Sequence, residues 1–127
     1  MARILVVDDE DVVRSLLKTI LKHDGHEVVE AADGIQAIEI HRQEPADLVM
    51  VDLVMPKKHG LDTILEMREF QPETRFIVMT GALPSLLDSE NMATMLGDAQ
   101  TLAKPMTPTD LLRAVHKALG PAQPAEA

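Results

Sequence analysis

Four short polar punctuations each end an apolar run in this chain. ILVV runs into Asp8-Asp9, LVMV into Asp52, FIVM into Thr80, and TLA into Lys104-Pro105. If those runs are parallel strands, all four punctuations lie at one edge of one sheet, where open parallel sheets bind ligands. Three carboxylates, a hydroxyl and an ammonium gathered there suit a divalent cation and a phosphoryl group. Taken singly, each signal has a plainer explanation. Asp8 and Asp9 could simply cap the following helix, since acids favour helix N-termini. A threonine ending a buried strand could reflect β-propensity alone. A lysine after a strand is commonly a solvated end. In this order, on alternating units, the four together point to chemistry.

The elements that must position them follow from periodicity. Arg3 to Val7, Glu27 to Ala31, Asp47 to Val51, Arg75 to Met79 and Thr101 to Ala103 read as five short strands. Between the first two, Val12, Val13, Leu16, Leu17, Ile20 and Leu21 recur at helical spacing, with Arg14, Lys18 and Lys22 on the other face. Gly25 suits a left-handed cap. A second helix opens at Asp33-Gly34, uses Ile35, Ala37, Ile38 and His41, and stops at Pro45. Met55-Pro56 turns the chain, and a third helix after His59-Gly60 uses Leu61, Ile64, Leu65 and Arg68. A fourth is expected over Pro84 to Leu96, starting either at Pro84 or at an Asp88-Ser89 cap. Thr107-Pro108-Thr109-Asp110 starts a fifth, with Leu111, Leu112, Val115, Ala118 and Leu119 as its stripe. Five strands alternating with five helices imply a parallel sheet covered on both faces. In a doubly wound order 2-1-3-4-5, strands one and three are neighbours, so Asp8-Asp9 would face Asp52. Unbalanced, those carboxylates repel and at least one pKa rises, a conflict that a hard divalent cation resolves.

Composition narrows the class. At 127 residues the chain has one domain's length, with a 46% apolar and 26% charged composition ordinary for a globular protein. There are no cysteines, which removes disulfides and thiolate zinc sites. A net charge of −9 opposes direct nucleic-acid binding, and two Phe as the whole aromatic complement leave no base-stacking platform. The apolar runs are too short to span a bilayer, and Met-Ala-Arg leads straight into the first strand, so a cytoplasmic location without membrane insertion is expected. The expected division is one domain over 1–120 and a Pro/Ala-rich tail or linker stub over 121–127.

ILVVDDE, VDLVMPKKHGLD, VMTG and LAKP together resemble a response regulator receiver domain of two-component signalling, chemotaxis-regulator-like, over residues 3 to 119. The resemblance implies a flavodoxin-like doubly wound five-stranded parallel α/β sheet, order 2-1-3-4-5, with five helices. It makes Asp52 the phosphoacceptor for a sensor histidine kinase or phosphotransfer protein. Asp8 and Asp9 become the acidic pair for Mg²⁺ (or Mn²⁺), Asp9 directly and Asp8 largely through water. Asp52 and the Val54 backbone carbonyl complete the protein ligands. Thr80 becomes the switch hydroxyl, Lys104 the phosphate-binding ammonium, and the bond before Pro105 is implied to be cis. Such a domain is not an enzyme beyond its own phosphoryl transfer and loss. Its phosphoryl group, bringing about −1.5 to −2 charge, would draw the loop from Gly81 to Pro84 inward and change a partner-binding face. The implied partner is a downstream target or a fused output domain, with a homodimer through the output face as a further option.

The chain departs from that pattern in places. Thr101 stands three residues before the lysine, where the family usually has a switching Tyr or Phe, and Met106 replaces a frequent Phe. The stretch between Thr80 and Lys104 is about two residues longer than the common pattern. Val54 and Ala82, at positions where the family tunes acyl-phosphate lifetime, cannot hold a hydrolytic water by side-chain hydrogen bonds, so slow self-dephosphorylation is expected. The histidines at 23, 26, 41, 59 and 116 lack helix-face metal spacing and are expected on the surface, and the eight methionines as gap fillers, with Met92, Met95 and Met106 a candidate partner surface.

Two rival readings share parts of this pattern. Asp9-Glu10-Asp11-Val12-Val13 also matches the start of a haloacid dehalogenase-type phosphatase, with Asp9 as nucleophile. Such an enzyme needs further metal-binding acids after its lysine, and here only Asp110 and Glu126 follow. The other rival is a receiver-like interaction module that works without phosphorylation. The sequence leaves open whether the receiver is free-standing or part of a larger protein.

Overall fold

The computed structural model describes residues 2–53, 60–81, 99–104 and 106–120. The chain forms β1 (Arg3–Val7), α1 (Asp11–His23), β2 (Glu27–Ala31), α2 (Gly34–Gln43), β3 (Leu48–Asp52), α3 (Gly60–Phe70), β4 (Arg75–Thr80), β5 (Gln100–Ala103) and a C-terminal helix, α4 (Pro108–Leu119). The helix expected over 84–96, the turn at Met55-Pro56, the bond before Pro105 and the tail over 121–127 lie outside the described residues.

The five strands are parallel in the order β2-β1-β3-β4-β5, as the alternation predicts. The three central strands are apolar between their polar end residues because both faces are covered. Successive side chains alternate between two cores. Leu5, Val7, Val49, Val51, Phe76 and Val78 pack with Ala37 and Ile38 of α2 and Ile64 and Met67 of α3. Their neighbours Ile4, Val6, Leu48, Met50, Ile77 and Met79 face the opposite way, onto Leu17 and Leu21 of α1 and Leu111 and Val115 of α4. Each fully buried aliphatic side chain contributes about 1.5–3 kcal/mol. This two-sided burial holds the strand ends in one line.

The caps follow the sequence. The Asp33 side chain accepts from the Gln36 N–H at 2.8 Å, and Gln36 Oε1 accepts from the Ala32 N–H at 2.8 Å, closing the entry to α2. Thr107 accepts from the Asp110 N–H at 3.0 Å ahead of Pro108. Gly25, just past α1, has φ +94°, the left-handed conformation expected of it.

Two expectations are corrected. Val12, Leu16 and Ile35, which share the apolar spacing, are exposed at 80%, 57% and 59%, because the sheet covers only the narrower stripe through Leu17 and Leu21 on α1 and through Ala37 and Ile38 on α2. His41 is not a surface histidine but is fully buried. Its Nδ1 accepts from the Ala46 N–H at 3.0 Å, its Nε2 meets Thr74 Oγ1 at 2.8 Å, and Phe70 lies against the ring. Both ring nitrogens are engaged, which satisfies a polar group in the core. Burial lowers the His41 pKa.

Candidate functional site at the carboxyl edge of the sheet

Register brings the carboxylates together. Val7 of β1 pairs with Val51 of β3, so the next residues, Asp8 and Asp52, lie side by side where the two strands end. Asp8 is fully buried and Asp52 is 6% exposed, while Asp9 faces outward. One carboxylate oxygen from each of the three lies within 4.8 Å of the others. Asp52 in turn pairs with Met79, so Thr80 is one residue further along the same edge, and it is buried. Thr80 pairs with Ala103, and the Lys104 N–H continues that ladder to the Thr80 carbonyl at 2.9 Å.

Lys104 then folds back over the cluster. Its Nζ donates to Asp8 Oδ2 at 2.7 Å and to Asp52 Oδ2 at 3.0 Å, and reaches Glu10 Oε1 at 3.4 Å. Burial pulls the Lys104 pKa down, but the hydrogen bonds and negative charge of Asp8 and Asp52 outweigh it and raise the pKa above the ordinary lysine value. The other Asp8 oxygen, Oδ1, accepts from the Glu10 N–H at 2.9 Å. Asp8 is therefore held on both oxygens, whereas Asp9 stands at the open side of the cluster.

Spacing alone misses three supporting residues. Glu10 adds a fourth carboxylate beside the Lys104 ammonium. Arg14, expected on the solvent face of its helix, folds over the strand end. Its Nη1 donates to the Asp8 carbonyl at 2.7 Å and its Nε to Glu30 at 3.3 Å, leaving the side chain 14% exposed. Gly60 opens α3 against the chain leaving β3. A Cβ there would collide with the Asp52 carbonyl oxygen and sit 2.8 Å from Leu53 Cα. The HG pair in the sequence was legible as a helix start, but the close approach was not.

Of the predicted site residues, Asp8, Asp9, Asp52 and Lys104 form one cluster and Thr80 lies on the same edge. Val54 lies outside the described residues. Thr101 is exposed on β5, and Met106 packs half-buried against the core under α1 and α4. Among the described residues the cluster offers oxygen donors and carries four carboxylates to one ammonium. Hard, acidic and incompletely neutralised, it fits a magnesium-type cation.

Comparison with known proteins finds relatives over almost the whole chain. The chain is 32% identical over 116 residues to the chemotaxis protein CheY of Thermotoga maritima, covering 91% of this chain and 95% of that one. It is 35% identical over 119 residues to the transcriptional regulatory protein CpxR of Escherichia coli, covering 94% of this chain but 50% of that one. The crystal structure of the response regulator protein TrrA from Thermotoga maritima, in complex with Mg²⁺-BeF, superposes with a TM-score of 0.82 at 32% identity, covering 94% of this chain and 100% of that one. The family model for the response regulator receiver domain matches residues 4–116. With its strand order, its edge-lining acids and its bridging lysine all in place, this chain belongs to the receiver domains of two-component response regulators.

Proposed function

We propose that Asp52 accepts a phosphoryl group from a phosphohistidine of a sensor kinase or phosphotransfer protein. The observation that carries this reading is the Lys104 ammonium held on both Asp52 and Asp8 within an all-oxygen cluster. An Asp52 oxygen attacks phosphorus, the bond to the donor imidazole breaks, and the imidazole leaves with the electron pair. Lys104, 3.0 Å from an Asp52 oxygen, would meet the negative charge that develops on the transferring oxygens with little reorganisation. Asp9, Asp52 and the Val54 carbonyl would hold Mg²⁺ (or Mn²⁺), with Asp8 behind them through water. When bound, the ion supplies charge neutralisation at the phosphoryl oxygens. Full engagement of both Asp8 oxygens and the exposed stance of Asp9 support that division of labour.

Thr80, buried at the next strand end, would donate its hydroxyl to the new phosphoryl group and couple it to the surface beyond β4. With Thr101 exposed and no ring at that position, the coupling runs through Thr80 and the chain that follows it. The switched surface would engage a downstream target or a fused output domain, and a homodimer is a further form it could take. Receiver domains act in signalling rather than as classical enzymes. Among the described residues no helix is long and apolar enough to cross a membrane, and we place the domain in the cytoplasm.

The test is intact mass after incubation with Mg²⁺ and acetyl phosphate, beside Asp52→Asn. One phosphoryl adduct on wild type, absent from the variant, is expected. No adduct on either, with Mg²⁺ bound, would favour a module that acts without phosphorylation. An adduct that survives in the variant would point to Asp9 instead.

A further inference from the structure

A second cluster of ligating side chains lies at the opposite edge, where the strands begin. Asp24 is the residue that ends α1, the turn at Gly25 presents His26 two residues later, and His116 comes from the last turns of α4. Asp24 Oδ2 is 3.0 Å from His26 Nε2 and 2.8 Å from His116 Nε2. The three donor atoms all lie within 4.8 Å of one another. We propose that Asp24, His26 and His116 form a binding site for a divalent transition-metal ion of the zinc type, separate from the carboxylate cluster around Asp52.

The geometry needs little change. Tetrahedral zinc with bonds of roughly 2.0–2.2 Å sets neighbouring donors roughly 3.3–3.5 Å apart, so the present spacings open by about half an ångström. Two imidazoles and one carboxylate suit zinc, nickel or copper and suit Mg²⁺ poorly, whereas the all-oxygen cluster at the other edge has the reverse preference. The inner wall is already ordered. The His26 side chain is 7% exposed and that of Asp24 24% exposed, while His116, at 61%, leaves an approach from solvent and room for a fourth ligand.

Binding exchanges one set of partners for another. His26 Nδ1 accepts from the Ala2 N–H at 3.2 Å, so the neutral ring carries its proton on Nε2 and gives it to Asp24. Coordination through Nε2 moves that proton to Nδ1 and gives up the long Ala2 bond. His116 likewise carries its proton on Nδ1 when Nε2 ligates, so no proton need leave either neutral ring. The bound ion joins the end of α1 to α4 across 92 residues of sequence, which stabilises the native state by mass action.

The experiment titrates the full chain with ZnCl₂ at saturating MgCl₂, by calorimetry and by ¹⁵N NMR of the imidazoles. One Zn²⁺ per chain is expected, with the His26 and His116 Nε2 resonances moving together and a rise in Tm. Loss of an outer-sphere partner already costs roughly 10–100-fold in metal affinity, so His116→Ala should weaken binding at least that much and abolish the Tm shift. The pair Asp9→Asn and Asp52→Asn should leave Zn²⁺ binding unchanged. His116 is exposed enough for its replacement to leave the fold intact, and the NMR readout needs no variant at all. The proposal is overturned by the absence of saturable Zn²⁺ binding, by binding that follows Asp9 and Asp52 rather than His116, or by Zn²⁺ that moves only one of the two imidazoles.

Discussion

The Lys104 ammonium sits 3.0 Å from Asp52 Oδ2, although the two residues are 52 apart in sequence and lie where β5 and β3 end, with β4 between those strands. The same nitrogen holds the fully buried Asp8 at 2.7 Å. Removing it leaves two buried carboxylates facing each other. Breaking a buried ion pair costs about 3–5 kcal/mol, and partial solvent access to Lys104 reduces this, so Lys104→Met should lower stability in urea by about 2–3 kcal/mol. Added Mg²⁺ should restore part of the loss. Phosphorylation by acetyl phosphate should slow roughly 100-fold or more, as for loss of a preorganised donor. Unchanged stability and rate would show that Lys104 is only a surface ion pair.

Gly60 is needed for the close approach of α3 to the Asp52 backbone. Gly60→Ala forces its methyl against the Asp52 carbonyl oxygen, which is backbone and cannot rotate away. Overpacking of this kind costs about 1–3 kcal/mol, read from the urea midpoint. Because the displaced backbone belongs to Asp52, the proposed phosphoacceptor, phosphorylation should fall beyond what the stability loss explains, with Asp52, Asp9 and Lys104 all still present.

His41 makes stability depend on pH. Burial lowers its folded pKa below the ordinary histidine value, so the unfolded chain binds more protons in the interval between the two. Stability contributed by the neutral ring is therefore present above about pH 6.5 and is lost as pH falls from there toward the folded pKa. Wild type should lose stability over that interval, and His41→Gln should show a flatter profile even if its absolute stability is lower. Parallel profiles would contradict the buried neutral histidine.

Val54 and Ala82 bear no side-chain group able to hold an attacking water. The acyl phosphate on wild type should therefore decay slowly, over minutes or longer, once the donor is removed. Loss within seconds, followed by phosphate release, would count against this.

The strands were legible because each is a short apolar run closed by a polar residue, and the covered faces of a parallel sheet demand such runs. The gathering of the candidate site was legible for the same reason, since Asp8, Asp52, Thr80 and Lys104 are those closing residues. The Thr107-Pro108-Asp110 start of α4 could be read from local chemistry alone. What stayed hidden depends on long-range approach. Arg14 occupies a polar position on an amphipathic helix, yet the Asp8 carbonyl and Glu30 draw it inward. His41 falls on the apolar stripe of α2 with Ala37 and Ile38, a positional signal of burial, but its partners Thr74 and Ala46 come from two different loops. Asp24, His26 and His116 meet only after α1 and α4 pack on the same face of the sheet.

The most direct measurement is to trap the phosphorylated protein with borohydride, which reduces an aspartyl phosphate to homoserine, and to map the product by peptide sequencing. Homoserine at position 52, formed only when Mg²⁺ and a phosphodonor are both present, is the predicted result. Homoserine at position 9, or none in protein that demonstrably binds Mg²⁺, would contradict the assignment of Asp52 as the phosphoacceptor.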